Sequence, residues 1–260
     1  MSGYRFVISQ DGTEIACRVS GRGPALVLVH GTTGSDFSWR FVEPLLAERF
    51  TLYLMQRRGR GQSGDAPAYS LAREAEDVGA LVDSIGGPVD VFGHSFGAAC
   101  ALEAALVTRN LRSLVLYEPG IEVPYAPGSI EEQERLAAEG RYEELIEFVM
   151  AGEGVLTPEE LTAFKTSPSW PARVELAWTI PRESREESRY TVSPDRFAGV
   201  VAPTLLLLGS ESGDMFREGV EEVRAALPDA RLAMLDGQGH AATLTAPDLV
   251  ADVVSDFLAG

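Results

Sequence analysis

Residues 89–106, VDVFGHSFGAACALEAAL, leave this chain little freedom in how it folds. The opening residues read as a buried strand ending at Phe92, and from about Phe96 the small and apolar residues read as a helix. A strand that becomes a helix across Gly93-His94-Ser95-Phe96-Gly97 must pass through a strained backbone at Ser95. Neighbours two residues away then have to be tiny, and Gly93, Gly97 and Ala98 satisfy this. Such a turn lifts the serine hydroxyl clear of the sheet and points the following helix N-terminus at it, which favours developing negative charge.

The surrounding chain supplies a sheet for that turn. YRFVIS and EIACRVS flank Asp11-Gly12, a strong turn signal, and predict a hairpin. PALVLVHG, FTLYLM and LRSLVLYEPG are short apolar runs of the kind that strands buried on both faces show. Helical stretches are expected between them near residues 39–48, 71–85 and 96–108. Strand–helix alternation with right-handed crossovers gives a mostly parallel sheet with helices on both sides. The alternation resumes at APTLLLLG and ARLAMLDG and closes with the amphipathic APDLVADVVSDFL.

Residues 119–198 interrupt it without a convincing buried strand. RYEELIEFVM puts Tyr142, Leu145, Ile146 and Val149 on one helical face, and Trp170, Val174 and Trp178 recur at intervals of four. With 16 acidic and 8 basic residues, this segment carries nearly half of the chain's net charge of −17. The expected organisation is an α/β core of residues 1–118 and 199–260, an eight-stranded sheet in all, with a helical cap of residues 119–198 inserted after strand six.

That acidic balance argues against a nucleic-acid partner, because phosphate backbones need a basic footprint. No window approaches the 18 apolar residues of a membrane span, and no secretory leader is visible in MSGYRFVISQDG, so a cytoplasmic protein without a membrane partner is expected. Cys17 and Cys100 sit in apolar surroundings without metal-like spacing and read as buried free thiols. No His, Cys and Asp cluster at ligand spacing suggests a metal or cofactor.

Four motifs together, LVLVHGTTG, RRGRGQSG, GHSFG and GQGHAATLTAPDL, resemble those of the α/β-hydrolase superfamily in order and spacing, across nearly the whole chain. One departure is Gln56, where members often carry Asp before the Arg-rich turn. The resemblance implies an α/β-hydrolase fold with Ser95 as nucleophile and His240 as general base. His30 would support its loop, and His94 would point away from the serine. Oxyanion donors would be the backbone N–H groups of Thr32 and Phe96.

The acid is less direct. Most members place it after strand seven in a Gly-x-x-Asp pattern, and counting from Gly209 that position is Ser212. Glu211 or Asp214 could serve if the loop shifts. The other known location is the end of strand six, where LVLYEPG carries Glu118, 23 positions after Ser95. Lactonases that open the macrolide zearalenone look like this, with Ser, a Glu after strand six and then His. Glu118 is therefore the expected acid and Asp214 the alternative.

Serine, histidine and acid beside an oxyanion hole perform acyl transfer. The resemblance therefore implies a hydrolase of a small, fairly apolar carboxylic ester or lactone, with Trp170, Trp178, Met150, Met215 and Phe96 as candidate pocket walls. A carbon–carbon bond hydrolase uses the same residues, a perhydrolase side activity fits the same machinery, and a ligand-sensing member with little turnover is the alternative of another class.

Overall fold

The computed structural model describes residues 3–152 and 154–260. Met1 and Ser2, where the expected core begins, and Glu153, one of the acidic residues of the insertion, lie outside the described residues.

The hairpin forms the sheet's edge. Strand β1 (Tyr4–Ile8) pairs antiparallel with β2 (Glu14–Gly21), and Gly12 turns the chain between them at φ +86°. Next come β3 (Ala25–Val29), the short helix α1 (Glu43–Leu46), β4 (Thr51–Met55), α2 (Leu71–Ile85), β5 (Val89–His94), α3 (Phe96–Ala104) and β6 (Leu111–Tyr117). Between β6 and the next strand lie α4 (Ser129–Ala138), α5 (Tyr142–Glu147), α6 (Pro158–Thr166), α7 (Trp170–Leu176), α8 (Ile180–Glu187) and α9 (Pro194–Phe197). The chain ends with β7 (Thr204–Gly209), α10 (Asp214–Ala226), β8 (Ala230–Leu235), α11 (Ala242–Thr245) and α12 (Pro247–Leu258).

The eight strands form one sheet in the order β1-β2-β4-β3-β5-β6-β7-β8, antiparallel at β1–β2 and β2–β4 and parallel from β4 onward. Alternate residues of a strand face opposite sides. On one side Val27, Val91 and Leu114 meet Val78 and Val82 of α2, Cys100 of α3 and Val220 of α10. On the other, Leu28, Phe92 and Val115 meet Leu46 of α1 and Val250 and Val254 of α12. Both faces are covered, which is why the central strands are apolar at consecutive positions rather than at every second one. Among the described residues no helix is long and apolar enough to cross a membrane.

The stretch expected to be helical over 39–48 is helical only over Glu43–Leu46, after a 3-10 turn at Asp36–Trp39. Pro44 stands in the first turn of α1, where a residue without an N–H is tolerated but cannot continue an earlier helix. Helix α3 likewise ends at Ala104 rather than running to 108.

The insertion between β6 and β7 has a core of its own. Leu145 and Ile146 of α5, Phe164 of α6 and Ile180 of α8 pack together, and Ala241 from the loop after β8 joins them. Buried ion pairs fasten its far end to the turn after β4. Arg57 meets Glu74 at 2.8 Å and Glu183 at 3.2 Å, and Arg60 also pairs with Glu183.

Candidate active site

Strand β5 ends directly behind Ser95, whose backbone takes φ +56°, ψ −128° before α3 begins at Phe96. That conformation is strained for any residue with a side chain. The turn closes only because of its glycines. A Cβ on Gly93 would lie 2.6 Å from Ala98 Cα and from the Gly97 carbonyl oxygen, and one on Gly97 would collide with the carbonyl oxygens of Val29 and His30. These neighbours are backbone and cannot swing away. Gly97→Ala is expected to destabilise the fold by about 3 kcal/mol, at the upper end for overpacking, read from the midpoint of urea unfolding.

On the same edge, His240 in the loop after β8 meets Glu118 at the end of β6, with His240 Nδ1 2.6 Å from Glu118 Oε2. The other carboxylate oxygen accepts the Gly209 N–H at 2.7 Å and the Ser212 hydroxyl at 2.5 Å. Glu118 is completely buried and itself takes φ +45°. Asp214 and Glu211 are exposed, and it is Glu118 that His240 Nδ1 meets. The loop after β7 therefore brings no carboxylate to His240; its Ser212 props the glutamate from β6 instead. Ser95 and His240 both face a cavity between the sheet edge and the insertion.

The fold agrees with what the chain resembles as a whole. A family model described as the alpha/beta hydrolase family matches residues 26–253. The chain belongs to the alpha/beta hydrolase family. A crystal structure of an alpha/beta hydrolase from Sphaerobacter thermophilus superposes with a TM-score of 0.85 at 34% identity, covering 98% of this chain and all of that one. N-formylmaleamate deformylase of Pseudomonas putida is 27% identical over 234 residues, 86% of this chain and 84% of that protein. A thermophilic esterase from Thermogutta terrifontis shares the fold, with a TM-score of 0.77 at 21% identity over 99% of this chain and 98% of that one. Over 36% of the chain, the match to the probable oxidoreductase EphD of Mycobacterium tuberculosis is 41% identical but spans only 17% of that protein. The chain is thus a hydrolase by family.

Two other histidines of this hydrolase are structural in their contacts. His30 is buried, its Nδ1 2.8 Å from the Gly31 carbonyl oxygen while its Nε2 accepts the Arg57 N–H at 3.3 Å. Burial, aided by the charge of Arg57, holds it well below the ordinary histidine range, so it is neutral. His94 donates from Nε2 to the His240 carbonyl oxygen at 2.9 Å and stacks on Tyr117. The Tyr117 hydroxyl donates to the Gly239 carbonyl and accepts the Ala242 N–H at 3.2 Å. Together they fix the loop on both sides of His240, while Phe216 stacks on the His240 ring at 4.0 Å.

A further clamp comes from the insertion. Glu160 of α6 accepts the Ala241 N–H at 2.7 Å through one oxygen and the Thr157 N–H at 3.0 Å through the other. Sequence reasoning missed this. TPEE signals a capping box, but not that its glutamate also reaches the histidine loop. Ser212 was the more legible omission, since it occupies the place where an acid was sought. Gln56, the noted departure, is also structural: its amide donates to Asp36 at 2.8 Å and its oxygen accepts the Gln62 N–H at 2.7 Å.

Thr32 lines the cavity on a loop turned at Thr33, which takes φ +56°. Phe96 opens α3, where the first backbone N–H groups have no intrahelical partner. Its ring, however, is wholly buried with the Arg57 guanidinium 4.5 Å above it, so Phe96 does not form cavity wall. Met150 and Met215 do. Trp170 and Trp178 do not. Trp170 packs edge-on against Phe164 inside the insertion, and Trp178 is 40% exposed beneath Arg182. Helical spacing put both tryptophans on one face, but that face meets the insertion and solvent.

Glu187 also lines the cavity, its carboxylate accepting the Tyr125 hydroxyl at 2.8 Å. Burial raises it from the ordinary 4.5 to about 7. Between those values the folded state holds a proton that the unfolded chain has released, so this contribution to stability is complete below about 4.5 and lost as pH rises through about 7. In Glu187→Gln the loss of stability on raising pH across that window should be smaller by on the order of 2–3 kcal/mol, measured by denaturant melts at each pH. Among the described residues no group of three or more His, Cys, Asp or Glu side chains could hold a metal ion.

Proposed function

We propose that this hydrolase cleaves a carboxylic ester or lactone of a small molecule through an acyl-enzyme on Ser95, with residues 119–198 acting as a cap over a core of 1–118 and 199–260. The observation that carries the reading is the His240–Glu118 pair at 2.6 Å, facing one cavity with a serine held at φ +56°. Glu118 holds the proton on His240 Nδ1, leaving Nε2 to take the Ser95 proton as its oxygen attacks the carbonyl. The Thr32 and Phe96 N–H groups receive the oxyanion. Collapse of the tetrahedral intermediate expels an alkoxide that takes the proton from His240. Water, deprotonated by the same imidazole, then attacks the acyl-enzyme, and the acid leaves as His240 returns that proton to Ser95. In a lactone both fragments depart as one hydroxy acid.

The acid after β6 supports the lactonase-like form of this reading, and apolar walls such as Met150, Met215 and Val149 suit a largely apolar substrate. A second reading, hydrolysis of a carbon–nitrogen bond in a deformylase-type reaction, draws on the P. putida relative. The test is turnover on a matched panel of short-acyl aryl esters, aliphatic lactones, a macrocyclic resorcylic lactone and N-formyl amides. Preference for an ester or lactone upholds the proposal; turnover confined to the N-formyl compounds replaces it with the second reading.

A further inference from the structure

Where this chain buries arginine for structural purposes, it supplies acids. Arg57, Arg58 and Arg60 are buried beneath the insertion and meet Glu74, Asp77 and Glu183. This follows the general rule that a guanidinium leaves water only when paired. Arg173 of α7, which is half-buried, has no such acid. Its side chain lines the cavity that holds Ser95 and His240. Its Nε is buried without a hydrogen-bond partner, and its guanidinium forms no ion pair among the described residues. Instead it lies 4.1 Å from the Phe164 ring centroid and 5.2 Å from that of Phe37. Burial and the nearby positive charge of Arg40 hold it down to about 9.

The acid on the same cavity does not answer this charge. Glu187 is bound to Tyr125, outside ion-pairing distance of Arg173, and is largely protonated below about 7. Two arginines, Arg40 and Arg173, therefore face the cavity against one masked carboxyl. Aromatic rings stack on a guanidinium, whereas its donors form a planar fork that matches a carboxylate in two parallel hydrogen bonds. An unpaired cation partly withdrawn from water gains more from an anion than one fully in water does.

We propose that Arg173 is the receptor for a carboxylate on the substrate, so that the molecules cleaved at Ser95 are monoanions with a free carboxylate on an otherwise apolar frame. The inference deepens the proposed hydrolytic reading and rests on it for the reaction, but not for the binding. The single fork of Arg173, set on a cavity whose walls include Val149, Met150 and Phe164, matches one carboxylate in two parallel hydrogen bonds, and Arg40 on the same lining adds to the positive field.

The experiment compares mono-para-nitrophenyl adipate with its methyl-capped neutral counterpart, and para-acetoxybenzoate with its methyl ester. These place the carboxylate on the acyl and the leaving-group side respectively. Wild type should favour the charged member of at least one pair in kcat/KM, chiefly through KM. Arg173→Gln should lower that preference roughly 10- to 100-fold, the range for losing a charge-assisted hydrogen bond, and Arg173→Lys should restore part of it. Because the variant removes an unpaired cation, its melting temperature should not fall.

Titration of Ser95→Ala with the same intact esters by calorimetry separates binding from chemistry. Tighter binding of a charged ester, abolished by adding Arg173→Gln, upholds the inference even where wild type hydrolyses neither ester; in that case the ester reading alone fails. Equal affinity for charged and neutral members in both pairs overturns the inference. So does an Arg173→Gln variant that loses both members alike and melts earlier.

Discussion

Ser95→Ala is expected to lower kcat by ~10⁴-fold or more on whichever substrate of the panel is turned over, with the fold retained. Deleting one hydroxyl removes the proposed nucleophile while His240, Glu118 and the helix N-terminus stay in place, so residual turnover should come from binding and polarisation alone. The backbone makes a second, opposite expectation. Ser95 is held at φ +56°, a region that glycine occupies freely. Ser95→Gly should therefore be as inactive as Ser95→Ala yet more stable than it, by roughly 1 kcal/mol in chemical denaturation. Thr33 and Glu118 also have positive φ, so three of the four such non-glycine residues described lie around this site. An inactive glycine variant no more stable than the alanine one would show that the turn is not strained. Substantial turnover by Ser95→Ala would remove the acyl-enzyme from the mechanism.

Glu118→Gln should cost nearly as much, ~10³- to 10⁴-fold in kcat, and for a reason that depends on direction. One carboxylate oxygen already accepts from Gly209 N–H and the Ser212 hydroxyl, so the amide oxygen of a glutamine would take that side. Its NH₂ group would then face His240 Nδ1 and donate to it. The imidazole would be driven into the tautomer with hydrogen on Nε2, unable to accept the serine proton. Asp214→Asn, on an exposed residue at the start of α10, should stay within about twofold of wild type, as surface substitutions remote from a site do. A severe loss in Asp214→Asn, with Glu118→Gln active, would reverse the assignment.

Much of this was legible in the residues themselves. Alternation of apolar runs with helical periods specified the sheet, because strands covered on both faces need consecutive apolar side chains, and Gly93, Gly97 and Ala98 specified the turn through space rather than chemistry. Glu118 could be singled out because the resemblance offers the end of strand six as a place for the acid, and LVLYEP ends a buried strand there. What escaped were contacts between distant segments that no motif announces. Glu160 is a helix-capping residue by local pattern, and its bond to Ala241 spans 81 positions. Trp170 and Trp178 failed for a related reason: periodicity says which residues share a face, not what that face meets. Arg173 carried no local signal at all, since its meaning lies in the missing acid.

The Glu160 carboxylate also ties two parts of the cavity's surroundings together. It joins the first turn of α6 to the N–H beside His240, while Phe164, one helical turn further along α6, touches the Arg173 guanidinium. Swinging α6 outward as a rigid rod breaks the hydrogen bond to the histidine loop and uncovers the arginine in the same movement. The seating of one helix thus decides both the tether beside His240 and the cover over Arg173.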